Sequence, residues 1–240
     1  MRRIKSDQFH FKQFSVTHKR SSMKVGTDGV LLGAWVNVTH VKSVLDIGTG
    51  SGVIALMIAQ RSGASHIDAV ELDMDAAEDA RENFKQAPWA ERLHLYHCPV
   101  QLFQTKKKYD LIVSNPPYFS NSYKPENENR MVARHTESLS FQDLLEAANK
   151  WLNPAGRLAV ILPAAEGKLF KTWAQAAGMV CIREWTFQTR RNKPVERQLM
   201  EFARMHKTIE HGKILLYEHD SGETWATDYI NLTRDFYLKS

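Results

Sequence analysis

Asn115, Pro116, Pro117 and Tyr118 stand directly behind the apolar run Tyr109-Asp-Leu-Ile-Val113. Two successive prolines donate no backbone hydrogen bond and have a nearly fixed φ, and they push Ser114 and Asn115 towards extended or turn geometry. The stretch therefore reads as a stiff, non-helical tip at the end of a strand. A strand-ending turn would ask no more of it. It can also do chemistry. The side-chain oxygen of Asn115 and the carbonyl of Pro116 can each accept one N–H, and together they would orient a planar amino group whose lone pair is delocalised into a ring. The two prolines hold that carbonyl stiffly, which limits reorganisation at the moment of reaction. Tyr118 offers a flat face for a base to stack on, worth about 1–3 kcal/mol in nucleic-acid analogues. Such an amine needs positioning more than a strong base, and no metal is required.

A second constellation lies earlier, in Leu45-Asp-Ile-Gly-Thr-Gly-Ser-Gly52. Gly48, Gly50 and Gly52 permit backbone geometries closed to other residues and let a ligand approach the main chain. The spacing is G-x-G-x-G; Val53 breaks the G-x-G-x-x-G of dinucleotide binders. Asp46, just before the helix, makes this a poor phosphate cradle. The loop suits a ligand with no phosphate and a positive centre. Glu71 follows roughly twenty residues on, where an acid can accept from ribose hydroxyls. A nucleoside carrying an amino acid and a sulfonium, S-adenosylmethionine, meets all of these conditions.

These residues need elements to hold them. Ser43–Ile47 reads as a strand, Val53–Arg61 as a helix, His66–Val70 as a strand and Asp75–Gln86 as a polar-faced helix. Leu93–His97 and Tyr109–Val113 are further strands. Phe141–Leu152 is a helix closed by the turn Asn153-Pro-Ala-Gly156, and Arg157–Leu162 is a fifth strand. Leu169–Ala177 is a helix with Gly178 as its C-cap, and Val180–Phe187 and Val195–Ala203 form an antiparallel edge around a basic loop. Strands interleaved with helices indicate a parallel α/β sheet with right-handed crossovers. Ahead of it, Met23–Trp35 is a glycine-punctuated turn feeding an apolar helix, with Thr27 or Asp28 as N-cap. Tyr229, Leu232, Phe236 and Tyr237 have the spacing of a C-terminal helix packed on the sheet.

LDIGTGSG, VELD and SNPPY, in that order at the first, second and fourth of these strands, resemble the class I S-adenosylmethionine-dependent methyltransferases with an N-P-P-Y motif. FKQFSVTHKRSSMKVGTDGVLLGAW and ENFKQAPWAERLHLY narrow the resemblance to the bacterial tRNA (adenine-N6)-methyltransferases that modify the base beside the anticodon of a valine tRNA. The similarity is clearest from Phe9 to about Arg134. It implies a Rossmann-like class I fold: a mostly parallel seven-stranded sheet with helices on both faces and an antiparallel C-terminal strand. Residues 1–42 would be a basic arm and helix packed on a methyltransferase domain of residues 43–240. The resemblance implies Lys24, Thr27, Asp46, Gly48, Thr49, Gly50, Gly52, Glu71, Leu72 and Asn115 as cofactor contacts, and Asn115, Pro116, Pro117 and Tyr118 as the catalytic tip. One departure matters. Pro99 stands where such enzymes carry an acid for the cofactor's adenine amino group, so cofactor binding is expected to be weaker by about one hydrogen bond, roughly 0.5–1.5 kcal/mol.

The chain has 240 residues, 43% of them hydrophobic, enough for one domain with a sizeable core. No stretch approaches the roughly 18–20 apolar residues of a membrane helix, and MRRIKSDQFHFK lacks the apolar centre of a secretory signal. Cys98 and Cys181 have neither metal-like nor redox-like spacing, so a reducing cytoplasm is expected. Strand alternation splits His94, His97 and Cys98 between faces, and no metal is expected there. The positive charge is uneven: residues 1–42 hold eight Lys/Arg against two Asp/Glu, and residues 43–182 hold fourteen against sixteen. Lys19, Arg20 and Lys24 in the arm, Arg190, Arg191, Lys193 and Arg197 in the last quarter, and Arg134 after the N-P-P-Y tip are the candidates for RNA phosphates; the bland reading is solvated surface. The expected partner is the anticodon loop of a tRNA, with a monomer as the default. Three other readings stay open on sequence: a methyltransferase acting on a release-factor glutamine amide, one acting on guanine N2 of ribosomal RNA, and a non-enzymatic RNA-binding module with a relic cofactor fold.

Overall fold

A computed structural model describes residues 7–117, 139–205 and 207–238. A short hairpin of β1 (Gln8–His10) and β2 (Ser15–Thr17) leads into helix α1 (Thr27–Trp35). Alternating elements follow: β3 (Ser43–Ile47), α2 (Val53–Arg61), β4 (His66–Glu71), α3 (Met74–Gln86), β5 (Leu93–His97) and β6 (Tyr109–Ser114). After the undescribed residues come α4 (Phe141–Trp151), β7 (Leu152–Pro163), α5 (Ala164–Ala176), β8 (Val180–Gln188), β9 (Arg197–Ala203), β10 (Glu210–Leu215) and α6 (Thr227–Thr233).

The main sheet has the order β10-β8-β9-β7-β6-β3-β4-β5. Every neighbouring pair is parallel except those of β9, which runs antiparallel to both β7 and β8. Burial alternates along the strands. Leu111 and Val113 face a core shared with α1, α2, α6 and the N-terminal hairpin. Ile112, Leu158 and Val160 face the core under α4 and α5. From β3 the chain moves one way to β4 and β5 and later the other way to β6 and β7. The carboxyl ends of β3 and β6 therefore form a topological switch point, where open α/β sheets take their ligands.

Several local expectations are corrected. Among the described residues the sheet has eight strands rather than seven. β10 was missed because its first half, Glu210-His-Gly-Lys213, carries no apolar alternation, and Gly212 lies so close under Trp185 that an added Cβ would come within 2.2 Å of the ring. β8 and β9 are antiparallel but not an edge, since β10 covers β8. Asn153–Gly156 is no closing turn: it bulges β7 between the pairs Tyr109↔Leu152 and Leu111↔Arg157. The N-cap of helix α1 is Gly26, which has no side chain to cap with; Thr27 and Asp28 lie inside the first turn, and Asp28 accepts from Arg197 Nε at 2.9 Å. Helix α5 starts five residues before Leu169, on Pro163. Helix α6 ends at Thr233, and Tyr237 pairs with Phe11 of the N-terminal hairpin.

Candidate active site

The glycine loop leaves β3 by folding back on β4. The N–H groups of Gly48 and Thr49 both donate to the carbonyl of Val70, at 2.8 and 3.2 Å. Gly50 and Gly52 lie at φ +57° and +86°, where a side chain would strain the backbone. At Gly52, the N-cap of α2, an added Cβ would also meet the Phe84 ring at 2.5 Å. Asp46 sits behind this loop with no exposed surface. Its Oδ2 accepts the Thr49 hydroxyl at 2.6 Å, and the backbone N–H of Ala55 at the start of α2 also faces the carboxyl. Burial pushes its carboxyl up to about 7, against the lowering by the Thr49 hydroxyl.

Glu71 closes β4 and latches the loop. Its Oε2 accepts the Gly50 N–H at 2.7 Å, and its Oε1 accepts those of Leu72 and Asp73 at 2.8 and 2.9 Å. Three of the roughly four lone-pair directions of a carboxylate are thus taken by backbone, which leaves about one for a ligand hydroxyl. Asp73 caps α3 by accepting from Ala76 N at 2.7 Å. Opposite, β6 is tied to β3 by Ser114 Oγ, which donates to the Ile47 carbonyl at 2.8 Å. That bond sets the height of the next residues. Pro116 is buried, and Asn115 Oδ1 is buried without a hydrogen-bond partner among the described residues. Tyr118 lies outside the described residues.

Between these loops lies a cavity of about 690 Å³, walled by Gly48, Gly50, Glu71, Leu72, Asp73, Asn115 and Pro117, by Cys98-Pro-Val-Gln101 after β5, by Ser21–Met23 of the N-terminal segment and by Leu139. Its polar wall is acidic and amidic. Among the described residues none that lines it is Lys, Arg or His. Among them a phosphate would find no counter-charge, whereas hydroxyls, amines and a cation find acceptors. Pro99 presents only its ring, as the N-cap of a short 3₁₀ turn over Val100–Leu102. Of the residues expected around a cofactor, Gly48, Gly50, Glu71, Leu72 and Asn115 reach the wall; Asp46, Thr49 and Gly52 shape the loop behind it; Lys24 and Thr27 are not among the lining residues. Sequence reading did not assign Ser21–Met23 to the site: the stretch that contains them carries the family resemblance, but their small and flexible side chains show no chemistry of their own.

The basic candidates meet different fates. β8 runs parallel to β7, so the loop carrying Arg190, Arg191 and Lys193 lies on the same sheet edge as the cavity. There Arg191 pairs with Glu218 at 3.2 Å, Arg197 with Asp28 at 2.9 Å, and Arg190 stacks over Tyr217. Arg20 is engaged by Asp79 and Glu82, both at 3.2 Å, and Lys24 Nζ donates to the His18 carbonyl at 2.5 Å. Lys19 and Lys193 are exposed. Arg134 lies outside the described residues. On the far strands, His66, Asp68 and His94 converge. The Lys107 ammonium contacts both His66 Nε2 and Asp68, at 3.3 Å from the latter's Oδ2, so a side-chain cation already serves that carboxylate. His97 points elsewhere, to the Leu72 carbonyl at 3.0 Å.

The family model of the methyltransferase small domain matches residues 20–168. A tRNA1(Val) (adenine(37)-N6)-methyltransferase from Trichodesmium erythraeum is 43% identical over 237 residues, covering 97% of this chain and 98% of that protein. Among solved structures, a predicted O-methyltransferase from Agrobacterium tumefaciens superposes with a TM-score of 0.63 at 16% identity, over 87% of this chain and 96% of the other. The glycopeptide N-methyltransferase MtfA in complex with S-adenosyl-L-methionine does so with a TM-score of 0.53 at 14% identity, over 76% of this chain and 100% of the other. The structures share the fold; the relative shares the sequence along nearly its whole length.

Proposed function

This chain belongs to the tRNA1(Val) (adenine(37)-N6)-methyltransferase family, and from that membership we propose that it transfers a methyl group from S-adenosyl-L-methionine to the exocyclic N6 of adenine 37 in valine tRNA. The observation that carries the proposal is the partnerless, buried Oδ1 of Asn115 in the same wall as Glu71 and the glycine loop. An unmet acceptor in a buried site costs roughly 1–3 kcal/mol, a cost that an N–H of the target amine removes.

The residues present fit the cofactor. Among the described residues the wall offers the acceptors of Glu71, Asp73 and Asn115 without cations, which suits an amino acid's ammonium, ribose hydroxyls and a sulfonium. When bound, that group supplies an electrophilic methyl carbon on a charged sulfur. The chain's own contribution is placement. Glu71 holds Gly50 and the end of β4 together and keeps about one direction for a ribose hydroxyl. Asn115 Oδ1 and the Pro116 carbonyl accept from the adenine amine and aim its lone pair across the cavity. Pro116 and Pro117 keep both acceptors from relaxing, and Tyr118 stacks on the base. The adenine must leave its stack to enter, which costs less in a loop than in a duplex.

Of the basic candidates Lys19, Arg20, Lys24, Arg134, Arg190, Arg191, Lys193 and Arg197, the exposed Lys19 and Lys193 serve the phosphates of the anticodon loop first, whereas Arg20, Arg191 and Arg197 must release a carboxylate to join them. Residues 1–42 act as an arm on a methyltransferase domain of residues 43–240, and the protein works as a cytoplasmic monomer. Among the described residues no helix is long and apolar enough to cross a membrane.

Isotope-labelled cofactor offered with bulk tRNA, total ribosomal RNA and release factor tests the reading. Label is expected in N6-methyladenosine of tRNA. Label in a glutamine amide or in N2-methylguanine, with none in tRNA adenine, would overturn it.

A further inference from the structure

Two polar side chains buried on α3 take no part in the chemistry above. Asp79 is completely buried and Asn83 nearly so, one helical turn apart on the face that also buries Ala76 and Ala80. Asp79 Oδ2 accepts the backbone N–H groups of Arg20 and Ser21 at 2.9 and 2.8 Å, and its Oδ1 accepts from Arg20 Nη1 at 3.2 Å. Asn83 Oδ1 accepts from Thr17 N, and its Nδ2 donates to the carbonyls of Thr17 and Ser51, each at 2.8 Å. Ser51 belongs to the glycine loop. One turn of α3 therefore sets residues 17–21 and the cofactor loop at a fixed relative height. The same helix is capped by Asp73, two residues after Glu71.

The clamped segment runs straight into Ser21–Met23, which forms a wall of the cavity and is closed by Ser21 Oγ donating to the Met23 carbonyl at 2.9 Å. A buried carboxylate is a costly anchor unless its acceptors are well used. Here it binds two adjacent backbone N–H groups and a guanidinium, and charge-assisted bonds of that kind are among the strongest a chain can make. We propose that Asp79 is a positioning residue for the cofactor: by gripping the Arg20 and Ser21 amides it holds Ser21–Met23 in place as a wall of the cofactor cavity. The proposal rests on the reading that this cavity takes S-adenosyl-L-methionine. It makes cofactor affinity, rather than turnover at saturation, the quantity that Asp79 governs.

The test is calorimetric titration of S-adenosyl-L-homocysteine into the full chain and into Asp79→Ala, Asp79→Asn and Glu82→Gln. Asp79→Ala is expected to bind about tenfold more weakly at unchanged stoichiometry. Asp79→Asn keeps an oxygen for the two backbone donors and recovers part of the loss. Glu82→Gln, which loosens only the exposed half of the Arg20 pair, binds like wild type. In turnover assays Asp79→Ala raises KM for the cofactor and leaves kcat near wild type. Hydrogen exchange supplies a readout independent of folding yield: cofactor slows the amides of residues 17–23 in wild type and much less in Asp79→Asn. Equal affinity of wild type and Asp79→Ala, or wild-type exchange at residues 17–23 indifferent to cofactor, overturns the proposal alone. A wild-type chain that binds no cofactor overturns the functional reading with it.

Discussion

Asn115 has its amide oxygen in the cavity wall with no donor among the described residues to meet it, next in the chain to a strand end pinned by Ser114. Replacing it by Ala removes one of the two acceptors that orient the amine but leaves Glu71 and the glycine loop untouched. Methyl transfer to tRNA should fall by at least about a hundredfold, in the range of losing one preorganised transition-state contact, while calorimetric affinity for the cofactor stays within about twofold. Near-wild-type turnover would rule that role out. Asp46 makes a different prediction. Its carboxyl is raised to about 7 in the folded protein, chiefly by burial, from an ordinary value near 3.8. Between those values the folded state holds a proton that the unfolded chain has lost, so the Asp46 contribution to stability is present at low pH and is lost as pH rises towards 7. Melting of the cofactor-free protein should therefore fall more steeply between pH 5 and 7.5 for wild type than for Asp46→Asn, where nothing titrates at that position. Parallel curves would show that Asp46 ionises normally.

At the scale of elements, the loop between β3 and α2 is held by conformation at one glycine and by contact at another. Gly50 needs only its positive φ, since nothing lies within 4 Å of an added Cβ; Gly52 needs its φ and also the space against Phe84. Gly52→Ala should cost about 2–4 kcal/mol, the sum of left-handed strain and overpacking, and lower the melting temperature by roughly 5–15 °C. Gly50→Ala should cost about half as much. Thermal denaturation of the two variants separates these causes, and equal losses would contradict the role given to Phe84. Most strands and helices were legible in their apolar period: β3, α2 and β5 begin and end where the pattern does. Other boundaries were not. Asp28 has the chemistry of an N-cap, yet it is drawn to Arg197, which lies 169 residues away in the chain. Asn153–Gly156 has the composition of a turn, yet the ladder between β6 and β7 continues past it.

Over the whole molecule, the charge excess of the N-terminal arm does not translate directly into a phosphate-binding surface. Arg20, Arg191 and Arg197 each meet a carboxylate within 3.2 Å, whereas Lys19 and Lys193 are exposed and have no ion pair among the described residues. If both lysines touch phosphates of the anticodon loop, replacing both by Gln should reduce the slope of log binding constant against log salt by about 1.4, at roughly 0.7 per single-strand phosphate. Replacing Arg191 should change it less, because releasing Glu218 offsets the lost contact. Titration of valine tRNA at several salt concentrations measures both, and an unchanged slope in the double variant removes these lysines from the interface.

The alternation of strands and helices, the glycine turn with its two acids and the stiff Asn-Pro-Pro tip follow from short stretches of sequence, because periodicity, φ preference and turn chemistry act over a few residues. The joining of Ser21–Met23 to Pro99 and Asn115 in one wall, the grip of Asp79 on two distant amides, the silencing of particular arginines and the addition of β10 to the sheet depend on which segments return to one another. That choice is made by burial summed over the whole core, and no window of sequence contains it.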